Sequence, residues 1–133
     1  EFALEYAIQY ISERQAFGKT LNKFQALRHK VADMASEVEM CKEFNYSIAK
    51  RLNEGQYIVK EASMSKLMST KMADSVINDC LQLLGGYGYM EDYPMARLLR
   101  DSRLGQIGGG TSEILREIIA KIVIDKKEYK SVK

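Results

Sequence analysis

Two glycine-rich breaks late in the chain carry residue types that could bind a ligand. Gly85 and Gly86 form the first break and residues 108–110 the second, and residues 81–116 hold seven of the nine glycines and the only proline. Glycine tolerates backbone angles and close approaches that a Cβ forbids. Two such breaks joined by a short helix predict turns shaped around a ligand.

The polar residues beside these breaks suit phosphate or other anionic groups. Backbone N–H groups at Gly85 and Gly86 can approach phosphate oxygens closely, and Gln82 supplies both a donor and an acceptor. Thr111 and Ser112 offer donors at the start of a predicted helix, where the dipole favours anions. Simpler roles stay open, because glycines also end helices and Thr111 or Ser112 could cap one.

Arg14 is a third candidate, at the end of the first predicted helix and close to Phe17 and Gly18. A guanidinium presents its donors in a rigid fork that suits a pyrophosphate, and a neighbouring aromatic side chain can cover a ring. A solvated arginine near a helix C-terminus is also favourable. From the residues alone, that surface role is the simpler interpretation.

Taken in order, these motifs resemble the C-terminal helical domain of the acyl-CoA dehydrogenase family. The early part of the resemblance consists of Arg14-x-x-Phe17-Gly18, Phe24-Gln25 and Ala32-Asp33-Met34. The later part consists of Gln82-x-x-Gly85-Gly86-x-Gly88-Tyr89, Tyr93-Pro94, Arg100-Asp101, Ile107 and Gly110-Thr111-Ser112-Glu113-Ile114-x-Arg116. Matching positions run from Arg14 to about Lys121.

The resemblance implies that the chain holds part of an FAD site. The family's arginine at the position of Arg14 contacts the FAD diphosphate, the stretch at the first break closes over the FAD of a neighbouring subunit, and the Gly-Thr turn lies beside the flavin and the substrate thioester. The expected substrate contact is Gly110. The expected cofactor-binding residues are Arg14, Phe17, Gln25, Gln82, Leu83, Leu84, Gly85, Gly86, Thr111, Ser112 and Glu113.

Gly109 departs from a pattern that many family members share. In those members a glutamate at this position removes the α-proton of the acyl thioester, and glycine has no carboxylate to do so. Isovaleryl and long-chain members resemble this chain in having a small residue there, and they take the base from a preceding helix. We therefore expect a base upstream of Glu1; the alternative is a protein that has lost the activity.

By resemblance, the parent protein oxidises an acyl-CoA thioester to the trans-2-enoyl-CoA with FAD, and electron-transferring flavoprotein reoxidises the flavin. A homo-oligomer, dimer or tetramer, is expected. We expect the chain alone to be inactive. Two alternatives stay open: a helical assembly module without activity, and a related acyl-CoA oxidase that uses oxygen as the acceptor.

Composition limits the class of partner. The chain has 133 residues, one domain's worth, and 20 basic against 18 acidic residues give a net charge of +2. This charge provides no strong field for nucleic acid or an anionic membrane, and no apolar run reaches the roughly 18 to 20 residues of a membrane span. Cys41 and Cys80 lack metal-ligand spacing and fit a reducing compartment, so we expect a bacterial cytoplasm or a mitochondrial matrix rather than secretion.

The elements that must position these residues are helices. Apolar residues recur at helical spacing over about residues 1–15, 22–53, 57–84, 94–103 and 111–124, and no strand pattern competes. The prediction is an all-α, up-and-down four-helix bundle with an additional short helix, spanning residues 1–124 and followed by a charged, frayed tail at 125–133.

Two further expectations concern the helices themselves. The first opens without a capping residue before Glu1, which predicts a piece of a longer protein truncated in mid-helix. Met64, Met68 and Met72 repeat every four residues in the third helix. Such a stripe could be a soft binding surface, but methionines at this spacing usually fill a core, and we assign them to it.

Overall fold

A computed structural model describes residues 1–129, which fold into a bundle of six helices. The helices are α1 (Phe2–Glu13), α2 (Gln25–Asn53), α3 (Val59–Leu84), α4 (Gly86–Tyr89), α5 (Pro94–Leu104) and α6 (Ser112–Val123). The all-α prediction is confirmed, and the five predicted helices end within three residues of their expected bounds. The four-residue helix α4 was not expected, because its glycines indicated a break.

A small hairpin between α1 and α2 corrects the expectation of no strands. Strands β1 (Gln15–Ala16) and β2 (Lys19–Thr20) pair antiparallel, and a single 3-10 turn (Leu21–Lys23) leads into α2. The turn residues Phe17 and Gly18 both have positive φ, 51° and 79°, as a two-residue type I′ turn requires. Phe17 and Gly18 therefore form the hairpin turn, and α1 stops before it at Glu13.

Helix α3 is the central element and packs against α1, α2, α5 and α6. An ion pair between Lys30 and Asp79 shows that α2 runs antiparallel to α3, because residues early in one helix meet residues late in the other. Arg103 at the end of α5 pairs with Asp74 in the C-terminal half of α3, and the turn that leads into α6 contacts Lys66 in the N-terminal half. Helices α5 and α6 therefore follow one another along α3 and run antiparallel to it, with the turn at residues 105–111 between them.

The core lies between α1, α2, the C-terminal half of α3 and α5. Its buried members are Ala3, Leu4, Ala7, Ile11, Met34, Val38, Val76, Cys80, Leu83, Leu84 and Met95. Burying each large aliphatic side chain contributes about 1.5–3 kcal/mol, so this cluster holds the end of α3 rigidly. The first glycine break begins where the core ends.

The methionine stripe is only partly in the core. Met64 and Met72 are half-buried, but Met68 is 53% exposed, so its assignment to the core is wrong. The reason is that no part of residues 1–129 covers the groove between α2 and α3, where Met68 lies with Met40 and Phe44. Cys41 and Cys80 are both free thiols; Cys80 is buried, whereas Cys41 is half-buried.

The segment after α6 is described only to Tyr129. The Tyr129 backbone N–H donates a hydrogen bond to the Tyr57 hydroxyl at 2.7 Å. Residues 130–133 lie outside the described part, so the frayed tail stays a prediction. No helix within residues 1–129 combines the length and the hydrophobicity needed to cross a membrane.

Candidate functional site

Arg14 and the first glycine break lie on one surface groove of about 500 Å³, which we call the Arg14 groove. The groove runs between the end of α1, the hairpin and the turn from α3 into α4. Its lining residues are Tyr10, Arg14, Ala16, Leu21, Gln82, Leu83, Leu84, Gly85, Gly86, Tyr87 and Met90. Six of the residues expected to bind the cofactor are therefore neighbours in space, although nearly seventy positions separate Arg14 from Gln82.

The backbone on both sides of Arg14 is fixed by hydrogen bonds. Its N–H donates to the Tyr10 carbonyl at 2.9 Å, and its carbonyl accepts from the Leu21 N–H at 2.9 Å. The guanidinium carbon lies 5.6 Å from the centre of the Tyr87 ring. Among residues 1–129 no carboxylate forms an ion pair with Arg14. The charge is thus available to an anion.

The two glycines of the first break and the nearby Gly88 have three different structural roles. Gly85 ends α3 with φ 59° and ψ −135°, a backbone conformation that side chains disfavour. A Cβ on Gly86 would meet no protein atom within 4 Å, so its backbone is accessible from the groove. Gly88 is buried, and a Cβ there would lie 2.5 Å from the Leu81 carbonyl oxygen. Only the first two glycines are placed to meet a ligand.

The other residues predicted to bind the cofactor differ in how exposed they are and in whether they line the Arg14 groove. Gln82 is exposed on the groove, whereas Leu83 and Leu84 are core residues, 6% and 2% exposed, that anchor the turn. Phe17 projects from the hairpin tip, 95% exposed, with its ring 6.4 Å from that of Phe24. Gln25 is exposed at the start of α2. Phe17 and Gln25 do not line the Arg14 groove.

A separate, smaller cavity of about 130 Å³ lies beside the second break. We call the residues around this cavity the Thr111 turn. The cavity is lined by Arg103, Gln106, Ile107, Thr111, Ser112, Glu113 and Arg116. Thr111 caps α6, since its Oγ1 accepts a hydrogen bond from the Ile114 N–H at 3.4 Å. The Lys66 ammonium donates to the Gly110 carbonyl at 2.5 Å and ties this turn to α3.

The Thr111 turn is electropositive apart from Glu113. The backbone N–H of Glu113 donates to its own side chain, which lowers the pKa of this carboxyl, and Thr111 and Arg116 lower it further. Arg116 Nη1 lies 3.2 Å from Glu113 Oε1, and Arg103 borders the same cavity. Gly109, with φ 63°, has open space where a side chain would begin.

The two glycine breaks do not form a single site within one chain. Lys66 reaches the second break and Gln82 adjoins the first, and these residues are sixteen positions apart on α3. At 1.5 Å rise per residue, about 24 Å of helix separates them. The two turns of one chain therefore lie too far apart to contact the same phosphate group or the same ring of a ligand.

Sequence reasoning missed several residues that the fold brings to these sites. Tyr10 and Tyr87 border the Arg14 groove, and Lys66 and Arg103 support the Thr111 turn. The four-residue step from Tyr10 to Arg14 would have placed those two side chains together on α1. No local spacing connects Lys66 with Gly110 or Arg103 with Glu113, because these contacts depend on helix packing.

Comparisons with known proteins agree with this architecture. The family described as "Acyl-CoA dehydrogenase, C-terminal domain" matches residues 1–124. An acyl-CoA dehydrogenase of Bacillus subtilis (strain 168) is 43% identical over 124 residues, which are 93% of this chain and 33% of the relative. A mitochondrial isovaleryl-CoA dehydrogenase of Bos taurus is 40% identical over 118 residues, 89% of this chain and 28% of the relative.

Solved structures lead to the same family. The crystal structure of an acyl-CoA dehydrogenase from Geobacillus kaustophilus superposes with a TM-score of 0.90 at 38% identity, covering 92% of this chain and 32% of that one. The fold and the two glycine turns thus define an acyl-CoA dehydrogenase-type helical domain. The chain belongs to the acyl-CoA dehydrogenase C-terminal domain family, and it spans about a third of the length of the relatives it matches.

Proposed function

We propose that this chain is the C-terminal domain of an FAD-dependent acyl-CoA dehydrogenase, an enzyme that oxidises an acyl-CoA thioester to the trans-2-enoyl-CoA. Family membership supports this assignment. The observation that carries it is the Arg14 groove, where a guanidinium that pairs with no carboxylate of residues 1–129 shares a surface with the accessible backbone of Gly86. Such a pairing suits the diphosphate of a dinucleotide.

The residues of the groove fit an FAD diphosphate in size and charge. Arg14 would neutralise the phosphates, Gln82 would hydrogen-bond to an oxygen or a ribose, and Gly85 and Gly86 would allow close backbone approach. Phe17, exposed at the hairpin tip, and Gln25 would meet other parts of the cofactor. When bound, FAD supplies the two-electron redox chemistry of the reaction.

The Thr111 turn would bind the flavin ring or the substrate thioester rather than the diphosphate. Its capped helix N-terminus and the residues Gly110, Thr111 and Ser112 suit polar groups of the flavin or the thioester, with Glu113 and its arginine neighbours at the edge. Because about 24 Å separates this turn from the Arg14 groove, we propose that each face belongs to a different cofactor and that a neighbouring subunit completes each site.

Proton abstraction is assigned to a segment outside this chain. Gly109 occupies the position that the family's glutamate takes in many members, and it offers no carboxylate to serve as a base. The base is proposed to lie on a helix that precedes Glu1 in the full protein. The alternative is a parent protein without dehydrogenase activity, and measuring turnover by the flavin-loaded full-length protein distinguishes the two.

The exposed groove between α2 and α3 supports assembly with a second copy. Its apolar lining includes Met40, Phe44 and Met68, in a cavity of about 540 Å³. Glu37 and Lys71 also line the groove, one on each helix, so the groove offers both an acidic and a basic side chain to a self-complementary two-fold contact. We therefore propose a homo-oligomer, a dimer or a tetramer.

This assembly is testable by size-exclusion chromatography with light scattering on the full-length protein. Met68→Lys places a charge in the groove and is expected to lower the oligomeric state. Tyr46→Lys, at a residue that is 62% exposed outside the groove, is the matched control and leaves the mass unchanged. A Met68→Lys protein of unaltered mass would rule out this interface.

Electron-transferring flavoprotein is the proposed acceptor, and the compartment is a bacterial cytoplasm or a mitochondrial matrix, since relatives from bacteria and mitochondria both match. Measuring hydrogen peroxide during turnover under air tests the acceptor. Stoichiometric peroxide would instead make the parent an acyl-CoA oxidase.

Arg14→Ala in the full-length protein tests the cofactor assignment. FAD content after purification is expected to fall sharply, while the helical circular dichroism stays within a few per cent of wild type. Arg97→Ala, at an exposed arginine on α5 outside both sites, serves as the control and keeps its flavin. Unchanged flavin in Arg14→Ala would return Arg14 to an ordinary surface role and contradict the proposal.

A second experiment tests the placement of the base. The 133-residue chain mixed with FAD, an acyl-CoA and an artificial acceptor is expected to show no turnover, whereas the full-length protein oxidises the substrate. Turnover by the chain alone would mean that a residue within it acts as the base. No turnover by a flavin-loaded full-length protein would favour loss of the activity.

A further inference from the structure

We propose that Tyr87 is a positioning residue that orients the Arg14 guanidinium for the cofactor diphosphate. This inference rests on the proposed function and goes further, because it assigns a role to a residue that none of the motifs above singles out as a contact. It concerns how the groove orients the Arg14 guanidinium before an anion binds.

The contact between the two side chains is the first observation. The guanidinium carbon of Arg14 lies 5.6 Å from the centre of the Tyr87 ring, within the roughly 6 Å over which a cation and an aromatic face attract. No ion pair or side-chain hydrogen bond to Arg14 competes with it among residues 1–129. A guanidinium stacked on a ring keeps its N–H edge free for a planar or bidentate acceptor.

The ring itself is held from two sides. Tyr10 approaches it edge-on at 6.1 Å with an interplanar angle of 62°, and Tyr93 lies 5.2 Å away at 55°. Aromatic pairs at these separations and tilts are mutually attractive. Tyr10 precedes Arg14 by one helical turn, so α1 supplies both the cation and one support of the ring. Tyr87 therefore cannot turn away without breaking contacts with α1 and with the segment before α5.

The local backbone accounts for the position of this ring. Gly88 is pressed against the Leu81 carbonyl, and this close approach folds α4 back onto the end of α3. Tyr87, one residue earlier, is thereby placed beneath Arg14. Its hydroxyl has no hydrogen-bond partner among the described residues, so the aromatic face carries the effect.

The test uses the full-length protein, stripped of flavin and titrated with FAD. Tyr87→Leu is expected to weaken FAD binding about two- to fivefold, the range of a surface cation–π contact, while Tyr87→Phe binds like wild type. Tyr89→Leu, on the same short helix but 84% exposed and without an aromatic partner in the described part of the chain, is the matched control. Equal losses in the Phe and Leu variants would overturn the inference.

A double-mutant cycle separates positioning from general packing. In an Arg14→Ala background, Tyr87→Leu should cause no further loss of FAD affinity, because the group it orients is absent. A full additional loss there would show that Tyr87 acts on FAD by another route. If Arg14→Ala itself leaves FAD binding unchanged, the proposed function fails. If only Tyr87→Leu has no effect, this inference alone fails.

A readout without cofactor checks the geometry. In the NMR spectrum of the 133-residue chain, the Arg14 Cδ protons should be shifted upfield by the ring current of the tyrosine, an effect lost in Tyr87→Leu and kept in Tyr87→Phe. Arg14 resonances at the usual position in wild type would contradict the stacking and overturn the inference.

Discussion

Two glycines of helix α4, two residues apart, should respond oppositely to the same substitution. A Cβ built on Gly88 would lie 2.5 Å from the Leu81 carbonyl oxygen and 3.1 Å from the Leu81 Cγ atom. A Cβ on Gly86 would meet nothing within 4 Å, and the φ angle of Gly86 is not positive. Gly88→Ala therefore disturbs the packing against Leu81, whereas Gly86→Ala only adds a methyl group to the surface of the Arg14 groove.

The geometry sets the magnitude. Ordinary carbon contacts begin near 3.4 Å, so the Gly88→Ala methyl or the carbonyl facing it must move by roughly 0.9 Å. Because the obstacle is backbone rather than a flexible side chain, we expect a loss of about 2–3 kcal/mol, within the usual range for overpacking. For a domain of this size the melting temperature would fall by roughly 6–12 °C. Gly86→Ala should be neutral or stabilise by up to about 0.5 kcal/mol, since alanine restricts the unfolded chain.

Urea denaturation of the 133-residue chain, followed by circular dichroism at 25 °C, gives the two free energies of unfolding. The second quantity to be measured is the FAD affinity of the corresponding full-length proteins. Gly86→Ala places a methyl on the surface proposed to meet the diphosphate, so its FAD affinity should fall about tenfold, equivalent to 1.4 kcal/mol. The fold and the cofactor are then affected by different glycines.

The reasoning is refuted if Gly88→Ala unfolds within 0.5 kcal/mol of wild type, because the Leu81 contact would then be absent or freely relaxed. Equal destabilisation by both substitutions would also contradict it, since the space beside Gly86 would not be open. Normal FAD affinity in Gly86→Ala would leave the packing argument intact and move the cofactor away from this turn.

Three further predictions concern single side chains. Thr111→Ala should cost about 1 kcal/mol in urea denaturation, because α6 loses its cap. Burial raises the pKa of the Cys80 thiol to about 11, so a thiol reagent at pH 8 should label Cys41 quickly and Cys80 only on unfolding. The same shift favours the folded state below pH 9, and that contribution should be lost as the pH rises from about 9 to 11. The lowered pKa of Glu113 stabilises the fold above about pH 4.5, and acidification should remove this contribution.

Each of these has a matched control. Thr111→Ser keeps the capping oxygen and should retain most of the stability, whereas a loss as large as that of alanine would argue against the cap. Cys80→Ala should lack the alkaline decline, and fast labelling of Cys80 in the native chain would contradict its burial. Glu113→Gln should flatten the acid limb of the stability curve; an identical limb would show that other carboxyls cause it.

Helix positions followed from the sequence because apolar side chains recur every three or four residues, and this pattern survives whatever the helices pack against. The short connection at residues 54–58 likewise forced α2 and α3 to run antiparallel. Pro94 marked the start of α5 because a residue without a backbone N–H is harmless in the first turn, and Thr111 marked the start of α6 because its side chain can cap the helix; both signals are local.

Other features depended on contacts that no local pattern records. The hairpin at residues 15–20 has strands of only two residues, too short for an alternating pattern, and its turn takes positive φ at Phe17. Met68 has the spacing of a core residue, but no other helix within residues 1–129 covers α3 at that point. Gly86 and Gly88 look alike in sequence, and only the position of Leu81 separates a packing glycine from an accessible one.

The sequence by itself determined the helical class, the approximate positions of the five longer helices and the motifs that identify the family, since these rest on periodicity and on residues close together in the chain. The tertiary structure decided which of those motifs share a surface. It brought Arg14 to Gly86 and set Tyr87 beneath the guanidinium, while it placed the Thr111 turn about 24 Å away along α3. The physical reason is that the length and packing of a rigid helix, not distance along the chain, fix which side chains can act on one ligand.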